Sequence, residues 1–254
     1  MRNGIRSRLR SVRDNIGARL LPTGTGFGPN RNDREGALHR SWGHVFTNQI
    51  RGGYYEFGVY RGDTFRTSYR VRQGYDSWQQ GQLTVGETWR NRVAEYYADF
   101  RHEFYAFDTF TGMPDNDEKN VTFGAGTFSC SLEEFVKLNQ EQGMIEGDFI
   151  RYYQGYFEEV RRRESDSLKQ LQPAAIVNLD CDLYASAKDA LAIVATKLVQ
   201  GSILLADDWN TFSADQNSGE RRAIAEFLTD HPEISFESWF PYMYTGQAFL
   251  VHVS

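Results

Sequence analysis

Two short stretches set paired carboxylates where apolar runs stop. Asn178-Leu179-Asp180-Cys181-Asp182-Leu183-Tyr184 carries Asp180 and Asp182, and Leu204-Leu205-Ala206-Asp207-Asp208-Trp209-Asn210 carries Asp207 and Asp208. If the two runs are neighbouring strands, four carboxylates meet within a few ångströms and cannot all stay ionised uncompensated. Either some hold protons or a cation sits among them. Oxygen-only ligands select a hard divalent ion, Mg²⁺ first, with Ca²⁺ or Mn²⁺ as substitutes. His39, His44, His102, His231 and His252 are scattered and show no zinc spacing. Helix capping accounts for one acid, Asp208, but not for a doublet at each of two strand ends. Side chains alternate along a strand, so Asp180 and Asp182 point the same way if the extension continues. One can then hold the ion while the other faces a substrate. This assigns Asp180, Asp207 and Asp208 as metal ligands and Asp182 as general base. A coordinated hydroxyl is more acidic, and a nearby carboxylate can take its proton.

A second group of residues addresses a cofactor. Glu56-Phe57-Gly58-Val59-Tyr60-Arg61-Gly62 follows the first apolar run. In open α/β sheets ligands bind beyond the carboxyl ends of the strands. Gly58 and Gly62 let backbone approach a ligand closely. An acid followed by GxxxG suits a cofactor with positive charge, such as the sulfonium and ammonium of S-adenosylmethionine. A dinucleotide pyrophosphate prefers GxGxxG without the acid. Asp108, at the tip of the second run, suits a ribose, whose hydroxyls a carboxylate can accept. Tyr60 and Thr109 complete a candidate cofactor set of Glu56, Gly58, Tyr60, Gly62, Asp108 and Thr109. In each case the plainer alternative is a tight turn or a turn cap.

The elements that must position these residues alternate from residue 54 onward. Strands are predicted over 54–60, 102–110, 149–157, 174–180, 201–208, 234–240 and 246–253. Helices are predicted from Asp63 or Thr64, over 87–100, from Leu132, and over 161–171, 186–198 and 219–228, with a polar stretch around Trp78 and Gly81 interrupting the first. Ser131 and Glu134 form a capping box for the third. Strand–helix alternation predicts a mainly parallel sheet covered on both faces. The last two strands are joined by residues 241–245 alone, which forces an antiparallel pair. A seven-stranded α/β sheet with a reversed last strand is the Rossmann-like arrangement of class I methyltransferases, whereas NAD-binding domains keep their strands parallel.

The 254 residues are 40% hydrophobic and 15% aromatic, enough to fill a sizeable core. A net charge of −6 disfavours a nucleic-acid partner. No apolar run is long enough for a bilayer span. Two cysteines, Cys130 and Cys181, make no disulfide framework, so a reduced, cytoplasmic protein is expected. At the start, six arginines from Arg2 to Arg19 interleave with apolar residues at helical spacing. That pattern predicts an amphipathic helix packed on the body or a partner subunit, with anionic surfaces as the alternative. The GTGFG run at 24–28 follows no strand and reads as linker.

Together, the runs EFGVYRGDTF, FYAFDTFTGMP, NLDCDLYASAKDAL, GSILLADDWN and GERRAIAEFL resemble the macrocin O-methyltransferase family. The resemblance covers residues 54–228 and implies a bacterial enzyme that methylates sugar hydroxyls of antibiotics, using S-adenosylmethionine and Mg²⁺. It implies the same ligands and base as above, and Glu56, Gly58 and Asp108 as cofactor contacts. The family's Gly-Leu-Pro reads Gly112-Met113-Pro114 here, and residues 70–100 are long for the family. Tyr75, Trp78, Trp89, Tyr96 and Tyr97 in that segment either pack in the core or stack on an acceptor. The acidic run 115–118 reads as a solvated loop. The expected organisation is an N-terminal helical extension or lid over 1–50 and a methyltransferase domain over 51–254, in a homo-oligomer acting on a small hydroxyl acceptor that contains a sugar. A catechol or phenol acceptor, an inactive cofactor-binding homologue and an NAD-dependent reductase are the competing readings.

Overall fold

In a computed structural model of the chain, residues 31–82, 89–118, 122–144, 147 and 149–254 are described. The Arg-rich start and the 24–28 run lie outside them. The first element is a helix, α1 (Arg31–Thr47), followed by β1 (Gly53–Phe57), α2 (Asp63–Gln82), α3 (Trp89–Tyr96), β2 (Phe104–Asp108) and α4 (Leu132–Gln140). Then come β3 (Ile150–Gln154), α5 (Phe157–Arg163), α6 (Ser165–Lys169), β4 (Ala174–Leu179), α7 (Tyr184–Val194) and β5 (Leu198–Ala206). A 3-10 turn (Phe212–Ala214), α8 (Gly219–Asp230), β6 (Ile234–Tyr242) and β7 (Gly246–Val253) finish the chain.

The strands form one seven-stranded sheet in the order β3-β2-β1-β4-β5-β7-β6. The five strands from β3 to β5 run parallel, and β7 runs antiparallel to both neighbours. This is the mainly parallel α/β sheet with a reversed last strand that the sequence predicts. Strands β1 and β4 are buried along their whole length, as strands covered on two faces must be. Alternate residues feed two cores. Tyr54, Phe104, Ile176 and Ile203 pack under α1, α2 and α4, whereas Tyr55, Tyr105, Val177 and Leu204 pack under α5, α7 and α8.

Four local expectations differ. Helix α2 runs on through Trp78 and Gly81 to Gln82 instead of breaking. The helix expected over 161–171 is two short ones, α5 and α6, parted at Glu164. Helix α1 falls within the helical extension expected over 1–50, but at residues where no individual helix is predicted: its apolar Leu38, Trp42, Val45 and Phe46 have helical spacing, and Gly36 and Gly43 interrupt the pattern. The 115–118 run is not simply solvated, because the Glu118 carboxylate accepts from Tyr184 N at the start of α7. The capping box is half realised, Ser131 Oγ accepting from Glu134 N at 3.1 Å.

The long 70–100 segment serves the core where it is described. Tyr75 stacks on Phe46 at 4.9 Å, and the buried Tyr97 hydroxyl donates to the carbonyls of Val45 and Ile50. The side chains of Trp78 and Trp89 lie outside the described set. Among the described residues no helix is long and apolar enough to cross a membrane.

Candidate active site

Strand register brings the predicted residues into one row. Phe57 stands beside Phe107 on one side and Leu179 on the other, and Leu179 stands beside Ala206. One residue further on, the ladder continues: Gly58 N donates to Phe107 O at 2.9 Å, Asp180 N to Phe57 O at 2.9 Å, and Asp207 N to Leu179 O at 3.0 Å. Asp108, Gly58, Asp180 and Asp207 therefore sit abreast at the carboxyl ends of β2, β1, β4 and β5. They border a cavity of about 370 Å³ that also takes in Glu56, Tyr60, Thr109, Asp182 and Asp208.

Alternation sends Glu56, Asp180 and Asp207 to the face that α1 covers. Oxygens of Asp180, Asp207 and Asp208 come within 4.8 Å of one another, the spacing of a cation's ligand set. Asp207 is 6% exposed, and its Oδ1 is buried without a partner, which is costly unless something is bound there. Donor chemistry and the orphaned oxygen both fit a hard divalent ion.

Asp182 arrives by a different route from the one expected. Extension ends at Asp180, and Leu183 N turns back to Cys181 O at 2.6 Å, with Asp182 at φ +60°. This left-handed residue is one an aspartate tolerates better than most. Its carboxyl still faces the cavity and lies against Asp208. Burial, then the Asp208 charge, raises its pKa, which disfavours the carboxylate form unless positive charge stands beside it.

Two participants escaped the sequence reading. Arg34, on the first turns of α1, pairs its Nη2 with Asp207 Oδ2 and places Nη1 3.6 Å from Asp180 Oδ2. Burial works to lower its pKa, but Asp180 and Asp207 together hold it above the ordinary arginine value. Glu220, 1% exposed at the start of α8, accepts from Asp208 N at 3.1 Å, and its other oxygen is buried without a partner. Burial, then Asp208 and Asp207, raises its pKa well above the usual range. A single arginine in a polar helix carries no signal of such a role. Glu220 lies inside the GERRAIAEFL run, but a glutamate in a first helical turn ordinarily faces water.

At the cofactor end, Glu56 is 1% exposed and accepts from the Tyr54 hydroxyl. Burial pushes it up to about 8, against the lowering effects of Tyr54 and Arg34. Asp108 ties down the glycine loop: its Oδ2 accepts from Val59 N at 2.8 Å and Tyr60 N at 3.0 Å, and its Oδ1 from Phe110 N at 2.7 Å. Thr109 Oγ1 lies 3.5 Å from the same Oδ1, a long contact that a ligand hydroxyl could displace. Gly62 stands outside the cavity lining. Its missing Cβ makes room for Phe135, which a Cβ would meet at 2.6 Å.

A family model described as macrocin-O-methyltransferase (TylF) matches residues 90–233, more than half of the chain. The 8-demethyl-8-(2,3-dimethoxy-alpha-L-rhamnosyl)-tetracenomycin-C 4'-O-methyltransferase of Streptomyces olivaceus is 26% identical over an alignment of 146 residues, the match covering 51% of this chain and 53% of that protein. The chain thus aligns with about half the length of this curated relative. Among solved structures, the calicheamicin methyltransferase CalS11 superposes with a TM-score of 0.60 at 20% identity, over 85% of this chain and 77% of that one. The O-methyltransferase NovP gives 0.56 at 18% identity, over 86% and 79%. A Bacillus cereus O-methyltransferase in complex with SAH gives 0.51 at 11% identity, over 97% and 90%. At these identities the solved structures share the fold.

Proposed function

We propose that this chain, which belongs to the macrocin-O-methyltransferase (TylF) family, transfers a methyl group from S-adenosylmethionine to a sugar hydroxyl of a glycosylated natural product. The observation that carries the proposal is the convergence of Asp180, Asp207 and Asp208 within 4.8 Å, beside Asp182, in the cavity at the strand tips. The names of two relatives support the acceptor class, since one methylates a rhamnosyl group and another serves calicheamicin. The SAH complex of the Bacillus cereus neighbour supports the cofactor.

S-adenosylmethionine would lie along Gly58, Tyr60, Asp108 and Thr109 and supply the methyl group as a sulfonium. Asp180, Asp207 and Asp208 would hold Mg²⁺, whose charge lowers the pKa of an acceptor hydroxyl and fixes its oxygen. Asp182 then takes the hydroxyl proton. It can do so because positive charge beside it favours the carboxylate form that burial otherwise suppresses. Glu56 would face the positive charge of the cofactor, and Asp108 keeps the glycine loop in place through Val59 N and Tyr60 N, so most of the catalysis is positioning.

The test is methyl transfer from S-adenosylmethionine to rhamnosides and other deoxysugar glycosides, run beside catechol. Turnover on the glycosides with Mg²⁺ is expected. Turnover on catechol alone, or stabilisation by NAD in place of S-adenosylmethionine, would sink the proposal.

A further inference from the structure

Helix α1 precedes the part of the chain matched to the family, yet it delivers a cation to the acid cluster. Arg34 uses Oδ2 of both Asp180 and Asp207, while its Nη1 also donates to Thr64 Oγ1 at 3.0 Å. Its Nε is buried without a partner. Apart from Thr64, then, the guanidinium is held by the acids. The neighbouring Asp33 pins the same turn of α1 to the β6–β7 hairpin, its Oδ2 accepting from Met243 N at 2.6 Å. Four aspartates, Glu56 and Glu220 crowd this end of the sheet, and Arg34 is the cation among the described residues that pairs with them.

Two of the three carboxylates that fit a divalent ion are therefore already paired. An ion bound by Asp180, Asp207 and Asp208 competes with the guanidinium for their oxygens and repels it at short range. We infer that Arg34 is the resident counter-cation of the ligand cluster, a positioning residue that keeps Asp180 and Asp207 together and yields, with the first turn of α1, when a divalent cation enters. The inference rests on reading the cluster as a metal site. It has a sign that a merely structural arginine lacks: removing Arg34 tightens metal binding. It also sets docking of the first turn of α1 against loading of the ion, a coupling between the two that is reciprocal.

The experiment is titration of the full chain with Mn²⁺, free ion being followed by electron paramagnetic resonance, together with hydrogen exchange over residues 33–40. Arg34→Gln is expected to bind Mn²⁺ at least about fivefold more tightly than wild type, the lower end of ordinary couplings. Arg34→Lys, which keeps the charge, stays nearer wild type, and Asp207→Asn loses affinity. In wild type, saturating Mn²⁺ speeds exchange over 33–40. Equal or weaker binding by Arg34→Gln, with Asp207→Asn still impaired, overturns this inference and leaves the metal reading standing. No binding by wild type or Arg34→Gln overturns both. Should Arg34→Gln fail to fold, the wild-type exchange decides: rates unchanged by Mn²⁺ overturn the inference.

Discussion

Gly58 lies beneath the main chain of Asp180 so closely that a Cβ would come 1.9 Å from the Asp180 carbonyl oxygen. Gly58 also has φ +86°, a conformation that penalises any side chain. Gly58→Ala is therefore expected to separate β1 from β4 at their tips and to cost about 3 kcal/mol or more. Urea denaturation measures it, and a loss below about 1 kcal/mol would show that the tips are not in this contact.

Asp182→Asn keeps the shape of the site and removes the proton acceptor. If Asp182 is the general base, kcat should fall by on the order of 10² to 10⁴ with little change in S-adenosylmethionine affinity. Steady-state kinetics beside cofactor titration separate the two quantities. Full activity in the variant would remove Asp182 from the chemistry.

Chelation tests the ligand set as a whole. After EDTA and dialysis the rate on a glycoside acceptor should drop by roughly 100-fold or more, and Mg²⁺ should restore it. A rate indifferent to this treatment would mean that the acids work without an ion.

A buried histidine gives the fold an acid-sensitive point remote from the cavity. His102 sits among Trp42, Phe46, Tyr97 and Phe100 with ring centroids 5.0–5.4 Å away, and its Nδ1 lies 2.6 Å from Gly52 O. Burial first, then the Arg72 charge, pushes its pKa down to about 3. Below the unfolded pKa of about 6.5 the unfolded chain takes a proton that the native ring refuses. Stability from this residue is thus present above pH 6.5 and is lost as the pH falls towards 3, with roughly 2 kcal/mol gone by pH 5. The stability difference between wild type and His102→Gln, measured in urea at pH 7.5 and pH 5, should shift by that amount in favour of the variant. An unchanged difference would refute the assignment.

The sheet was legible because burial on two faces leaves continuous apolar runs, and because so short a connection between the last strands, residues 243–245 in the structure, permits only a hairpin. The acids were legible because doublets ending such runs are chemically expensive. What stayed hidden depends on tertiary reach. Nothing near Arg34 in sequence says that it will cross to Asp207, 173 residues away. The turn at Asp182 also escaped notice, because a left-handed residue after a strand looks like further extension in the sequence. At Gly62 a glycine beside a ligand loop invites a ligand role, and the structure adds a packing one, since Phe135 uses the space.

Strand β7 slots between β5 and β6, and its hairpin turn holds the acid-bearing loop: Thr245 Oγ1 donates to Asp207 O at 2.8 Å, and Asn210 N to Thr245 O at 2.9 Å. Strand β7 is therefore the strand that joins the outermost one, β6, to the parallel part of the sheet. Without it, β5 presents an open edge to which another chain can pair. The carboxylate cluster thus depends for its shape on a hairpin that contributes none of its acids.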